Sequence, residues 1–302
     1  MLELLSHTSK RAIPLLAFFA GAIILTACDI TDLSGEVPAY IYIDQFEVFT
    51  EPPEGSSSAN ITEAWLTVDG NFLGAYSLPA IVPVLERGEK EISLQAGIKD
   101  NGIGITREIY PFYTAFQTSI DLMPERTDTL RPTIGYRQRT KFAFVENFED
   151  SGHLFRELRA GDPFNRVQLS GRQAFEGSSS ALIQLDAERP FVEIATLRSF
   201  RSLTADGVFV YLEVNYRSDV PVVFGIIGID PARPGSETPL FDPGFNPSEE
   251  WNKIYFNLSP LFQQLNFDEY KIALQAFIPL EDGALVRQEA EIRLDNIKLV
   301  HF

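Results

Sequence analysis

Cysteine is almost absent: Cys28 is the only one among 302 residues. The chain that follows it can therefore form no disulfide, no thiolate metal site and no cysteine nucleophile, and core packing has to hold it together. Histidine is nearly as scarce, and of the three present only His153 and His301 lie downstream of Cys28. Two histidines so far apart cannot build a histidine-rich metal centre, and no serine nucleophile elbow accompanies either. His153 reads as a loop residue and His301 as a solvated strand end. Positive charge is short as well: 25 Lys and Arg against 42 Asp and Glu leave a formal net charge of −17. That sign makes nucleic acid and anionic lipid headgroups poor partners. Glycine-rich phosphate loops are missing, since Gly102-Ile103-Gly104 is too short for a dinucleotide fingerprint and reads as a hairpin turn. Helical signal is confined to Leu261-Phe262-Gln263-Gln264-Leu265, one or two turns after Pro260.

What is present starts at the N-terminus. Lys10 and Arg11 precede a nearly unbroken apolar run from Ala12 to Leu25, which is short for a bilayer span and ends in Leu25-Thr26-Ala27-Cys28. That tetrapeptide resembles the lipobox of bacterial lipoproteins. The resemblance implies cleavage before Cys28 and acylation of its thiol and new amine; two or more chains on one residue give durable anchoring where one gives marginal attachment. Residues 1–27 are then a signal peptide and 28–38 a lipidated tether, and the membrane is a partner through the anchor. The alternative is an ordinary secretory signal with a chance cysteine. Asp29, Asp32 and Glu36 are similar to the acidic export signals of Bacteroidetes surface lipoproteins, which favours the outer membrane or cell surface; in an enterobacterial host Asp29 would instead signal inner-membrane retention.

Strand signals dominate from Ala39 onward. Ala64-Trp65-Leu66-Thr67-Val68 runs into Asp69-Gly70, a tight-turn dipeptide, and Phe72-Leu73-Gly74-Ala75-Tyr76 returns. Glu91 to Ile98 alternates strictly, as a strand with one buried face does, and Asp100-Asn101-Gly102 supplies the next turn. Ile109 to Phe116 reads as a further strand with rings on both faces, one of which is free to meet a neighbouring module or a partner. Residues 39–136 thus predict a small antiparallel sandwich. Glu63 to Ile98 resembles transthyretin-like or PEGA-type modules, and the whole stretch is similar to uncharacterised Bacteroidetes lipoproteins.

Residues 137–141 form a basic link, and 142–302 predict a second module. Period-two runs at Ala181–Leu185, Phe191–Ala195, Val208–Tyr216, Val222–Ile229, Lys253–Leu258 and Tyr270–Ile278 predict about eight strands, a jelly roll. Phe148-Glu149-Asp150, Tyr211-Leu212-Glu213-Val214-Asn215-Tyr216 and Leu294-Asp295-Asn296-Ile297 resemble, at matching places, galactose-binding-like and carbohydrate-binding-module sandwiches. The expected fold class is therefore all-β, with an Ig- or transthyretin-like sandwich followed by a jelly roll.

The resemblance implies oxygen ligands for a structural calcium at Glu149, Asp150 and Asp295, a hard ion needing six to eight oxygens. No other cofactor is implied. Phe241, Phe245 and Trp251, in or beside an expected loop from Asp230 to Glu250 rich in Pro, Gly and acidic residues, are the candidate sugar platform, since pyranose faces stack on exposed rings; Trp251 begins a strand, and its first reading is core, as the resemblance to such domains implies. No closely spaced acid run suits glycoside hydrolysis, and Glu289 and Glu291 read as a solvated face. The expected role is non-catalytic binding or assembly at the cell envelope through a protein partner. Glycan binding is the alternative, and a glycan-active enzyme with paired carboxylates is the second alternative.

Overall fold

The computed structural model describes residues 36–233 and 235–302. The expected signal peptide, Cys28 and most of the tether lie outside the described residues. The described chain is all-β, built mainly from antiparallel sheets, with one α-helix, Ser259–Leu265, among the described residues.

The first segment places a three-stranded sheet, Ala80–Val84, Ala39–Ile43 and Thr127–Leu130, against a five-stranded one. The latter holds Asn71–Ser77, Glu63–Val68, Gly88–Lys99 and Arg107–Ile109 in order, with Phe116–Leu122 also pairing Gly88–Lys99. Alternation sends Leu66, Val68, Ile92 and Leu94 inward against Ile41, Ile43 and Val82, all essentially inaccessible. At the expected hairpin both Asp69 and Gly70 take positive φ, 47° and 80°, as a tight two-residue turn requires. Two short pairings are parallel, which an all-antiparallel sandwich did not predict: Ala39–Ile43 with Thr127–Leu130, and Glu47–Val48 with Thr133–Ile134.

The second segment is a jelly-roll sandwich of two six-stranded sheets. One sheet runs Gln168–Ser170, Ser180–Asp186, Glu289–His301, Val210–Ser218 and Ser248–Asn257, and Lys141–Glu146 pairs with the end of Glu289–His301. The other runs Glu157–Gly161, Phe191–Ala195, Glu269–Phe277, Val222–Ile229 and Glu237–Phe245, and Phe200–Arg201 also pairs with Glu269–Phe277. Val214, Leu212, Phe224, Ile226, Leu274 and Ile292 fill the space between them. The outer face of the first sheet is covered by the first segment and that of the second is not, so they are called here the covered and the open sheet.

The cover is aromatic. Ile109 to Phe116 does not continue as a strand: pairing stops at Ile109, and Pro111, which has no N–H to give a ladder, sits in a turn. Tyr110, Phe112 and Tyr113 consequently do not divide between two faces; all three are buried at the junction. Tyr110 meets Tyr255 and Tyr211 of the covered sheet at ring-centroid distances of 4.8 and 5.4 Å, and Phe112 meets Phe302 at 4.6 Å. The core of the first segment thus takes in Tyr211, Tyr255, Val300 and Phe302 of the second. His301, expected at a solvated strand end, is buried here, and His153 is buried in its loop.

In the middle of the junction lies a buried charge cluster. Glu213 is inaccessible and its Oε1 accepts hydrogen bonds from the Tyr110 and Tyr136 hydroxyls, each at 2.7 Å. The Lys253 ammonium stands 2.6 Å from Oε2, pairing as a charge without an aligned hydrogen bond. Lys298 donates to the Ser56 carbonyl at 2.6 Å and to Tyr136 Oη at 3.3 Å. Burial works against the Glu213 charge, but Lys253 and Lys298 outweigh it and hold the carboxyl below its ordinary range.

Candidate functional site

On the open sheet, alternation that buries Val192, Ile194, Ile272, Leu274, Phe224 and Ile226 turns the intervening residues outward. Across the five strands the register aligns Glu157, Ala195, Ala273, Gly225 and Phe241 in one row. The middle of this row is small by necessity: a Cβ on Gly225 would stand 2.3 Å from the Leu240 carbonyl oxygen. Glu193 and Gln275 lie one row to one side, and Lys271, Ile227 and Pro239 one row to the other.

The side chains on this face reach far. Arg159, on one edge strand, contacts Glu237, on the opposite edge strand. In a flat sheet four strand spacings of roughly 4.8 Å would hold them about 19 Å apart, beyond the span of one arginine and one glutamate. Contact requires the sheet to curl, so the outer face is concave and its edges approach each other. Ala195, Ile227 and Ala273 are fully buried beneath, with Phe241 packed on them. Over this floor Arg159 also pairs with Glu157 at 2.9 Å and Glu193 at 3.4 Å; Lys271 bridges Glu157 at 2.7 Å and Glu237 at 3.2 Å; Gln275 donates to Glu193 at 2.8 Å. Burial opposes the Glu237 charge, but the Arg159 and Lys271 hydrogen bonds prevail and lower its carboxyl pKa. That is the wrong direction for a general acid, which needs a raised one.

A groove floored by Ala and Gly, edged by Phe241 and closed over by carboxylates, a guanidinium, an ammonium and a carboxamide can accept a polyol. Each hydroxyl both donates and accepts, so it can insert between a carboxylate and a cation without leaving either unsatisfied. At the far end of the face Phe191 and Phe277 stand directly opposite on neighbouring strands.

The three residues of the expected platform do not share a surface. Most of the Asp230 to Glu250 stretch is not a loop but strand: Glu237–Phe245 is the edge of the open sheet, and the chain then crosses to the covered sheet, where Ser248–Asn257 begins. Phe241 lies on the open face, while a register shift between Val223 and Gly225, opposite Asp242 and Pro243, turns Phe245 inward, where it stacks on Tyr216 at 3.8 Å. Trp251 is on the covered sheet, half-buried, donating its indole N–H to the Gln173 carbonyl at 3.2 Å beside Phe175. The polar members of the groove were missed because they come from strands scattered between Glu157 and Gln275; their outward parity in each strand was the available signal.

The calcium residues are brought together only in part. Asp295 is buried, accepting the N–H of Asn296 at 2.8 Å and of Glu176 at 3.4 Å. Burial, with Glu149 adding to it, pushes its pKa up to about 7. Glu149 accepts the N–H groups of Ser178 and Ser179 at 2.9 and 3.1 Å, and the Ser178 hydroxyl lowers its pKa. Asp150 turns away into its own turn, accepting the Gly152 N–H. Glu176, not foreseen, stands nearby and takes a hydrogen bond from the Asn296 amide at 3.0 Å. No group of three or more His, Cys, Asp or Glu able to hold a metal occurs among the described residues. The buried Asp295 carboxylate, which forms no ion pair among the described residues, is the feature of this cluster that fits a hard cation.

No family model matches this chain, and no curated protein does. Solved structures do. A structure of carbohydrate-binding modules from the β-sandwich superfamily is 14% identical, with TM-score 0.36, over 79% of this chain and 85% of that one. A xylan-binding domain from Paenibacillus barcinonensis is 11% identical, with TM-score 0.33, over 55% of this chain and 96% of that one. A domain solved in complex with β-1,4-galactotriose is 14% identical, with TM-score 0.31, over 49% of this chain and 91% of that one. Each is a likeness of fold.

Proposed function

We propose that this chain is a non-catalytic glycan-binding protein that takes a saccharide in the concave face of its open sheet. The observation that carries this reading is the contact between Arg159 and Glu237 from opposite edges, which makes the face a groove lined by paired hydroxyl-binding groups over an Ala and Gly floor. In the unliganded molecule the ion pairs close the groove, and a bound sugar takes their place strand by strand. These side chains are only 15–26% exposed, so opening the pairs has to be offset by sugar hydroxyls that give each charge a hydrogen bond in place of its partner. A glycan array probed with the protein should show retention of a defined oligosaccharide class, and Phe241→Ala should weaken it roughly tenfold through loss of ring contact. Equal binding by the variant, or an array with no hits, would refute the reading.

The same proposal places the protein at a bacterial cell envelope on acyl chains at Cys28, with the outer membrane or cell surface as its site. A protein partner is the second reading, favoured by Ile81 and Leu85 standing 64% and 54% exposed on and beside the edge strand Ala80–Val84.

Calcium belongs to the proposal as a structural ion held by Asp295 and Glu149, where it would neutralise the buried charge. Without it, an acid whose folded pKa is raised stabilises least when ionised. The cost of Asp295 is absent well below its ordinary value of 3.8 and grows as pH rises from there to about 7, at about 1.4 kcal/mol per pKa unit. Millimolar calcium at pH 7.5 should therefore raise the melting temperature by several degrees, and Asp295→Asn should abolish that increment. A melting temperature indifferent to calcium would exclude the ion.

A further inference from the structure

A second concavity of about 490 Å³ lies where the first segment meets the edge strand Ser248–Asn257 of the covered sheet. Small-molecule sites typically measure roughly 300–1,000 Å³, so this cleft is large enough for one or two sugar rings. One wall is the turn at Lys99, Asn101, Gly102 and Ile103; the other is the end of the strand Glu237–Phe245, at Gly244 and Phe245, with Asn246 just after it.

The walls are fixed. Asn101 donates its backbone N–H to the Tyr255 carbonyl at 3.0 Å and accepts the Asn257 N–H on its side-chain oxygen at 2.8 Å. Asn60 donates its amide to the Lys253 carbonyl at 2.8 Å and to the Asn252 side-chain oxygen at 3.2 Å. Asn252 donates in turn to Tyr216 Oη at 3.3 Å.

These bonds decide which lining groups stay free. The Asn101 oxygen is used, so its amide N–H groups are left. Tyr216 accepts from Asn252, so its own hydroxyl proton is left. Asn246 is exposed and, among the described residues, its amide has no partner. Lys253 is spent on Glu213. Lys99 is exposed, forms no ion pair among the described residues, and stands across the strand pair from Arg107. The neighbouring Asp100 carboxylate is turned to the Asn257 amide, 3.2 Å away. In a chain with 42 acidic side chains, this cleft is lined by no carboxylate, and its free polar groups are neutral amides, one hydroxyl and one cation.

We propose that the cleft binds a carboxylated sugar, a uronate-type mono- or disaccharide, with its carboxylate on the Lys99 ammonium and its hydroxyls on Asn101, Asn246 and Tyr216. A cation that has no internal partner and is surrounded by neutral donors offers an anionic ligand a charge-assisted hydrogen bond with no competing acid to displace. The cleft and the groove share the strand Glu237–Phe245, which gives Phe241 to the groove and Gly244 and Phe245 to the cleft, but no lining side chain is common to both, so each can fail without the other.

Calorimetry on the full-length protein in detergent, titrated with digalacturonate and with uncharged digalactose, tests this. Digalacturonate should bind at one site with an affinity that falls as salt is added, and digalactose at least tenfold more weakly. Lys99→Gln should cost digalacturonate tenfold or more and leave the melting temperature unchanged, Lys99→Arg should keep most of the affinity, and Phe241→Ala should change nothing. Equal binding of both sugars, indifference to Lys99→Gln, no binding of digalacturonate, or its loss in Phe241→Ala would each overturn the assignment.

Discussion

Glu213→Ala should destabilise the protein by about 3–5 kcal/mol, the usual cost of removing one member of a buried ion pair. The variant leaves the Lys253 and Lys298 ammonium groups in the junction without a counter-charge and takes the acceptor from two tyrosine hydroxyls. Denaturant unfolding at pH 7 would read the loss as a shift in midpoint. Glu213→Gln should recover only part of it, since an amide oxygen can still serve a tyrosine but carries no charge. Replacing Glu213, Lys253 and Lys298 together by Leu, Met and Met should recover most, because the expense lies in the unpaired charges. Lys298 adds a pH signature. Burial holds its pKa down at about 8 against 10.5 in the unfolded chain, so the unfolded state binds this proton more tightly. Its cost is full below pH 8 and is relieved as pH rises from about 8 to 10.5. An alanine variant as stable as the parent would mean that the two segments are held by their rings alone.

Filling the groove is expected to have the largest effect on ligand. Ala273→Trp places a bulky ring on the floor between Ala195 and Gly225, where Phe241 and the ion pairs now lie. Saccharide binding should fall by roughly 100-fold or more, equivalent to losing nearly 3 kcal/mol. The side chain faces away from the sandwich interior, so the fold should survive with an overpacking cost of about 1–3 kcal/mol. A matched substitution on the first segment, Phe72→Ala, alters an exposed ring and should leave binding intact. Retained affinity in Ala273→Trp would place the sugar elsewhere.

Much of the fold was legible because local chemistry and burial agree. Asp69 and Gly70 mark their hairpin through positive φ, and the alternation from Glu91 to Ile98 matches its buried face. The short helix after Pro260 appears as Ser259–Leu265. The stretch from Glu237 to Phe245 was misread because Pro239, Pro243 and Gly244 carry loop chemistry. It is an edge strand, where a missing N–H can face away from the ladder, and the misreading put Phe245 on the surface. Tyr211-Leu212-Glu213-Val214-Asn215-Tyr216 shows the opposite failure. Its alternation is real, but nothing local says what covers Tyr211, Glu213 and Asn215 on the second face, because the residues that meet Glu213, Tyr110 and Tyr136, are distant in sequence. Lys253 and Lys298 on the flanking strands were the hint that this face held a paired charge. The groove was illegible for a further reason: its concavity comes from sheet curvature, which places Arg159 beside Glu237 and leaves no mark in either strand's pattern.

The most direct test is a crystal structure of the protein with an oligosaccharide found on the array. The sugar should lie over the row Glu157, Ala195, Ala273, Gly225 and Phe241, with Arg159 and Glu237 parted and each hydrogen-bonded to a hydroxyl. A sugar bound elsewhere, with Arg159 and Glu237 still in contact, would contradict the account.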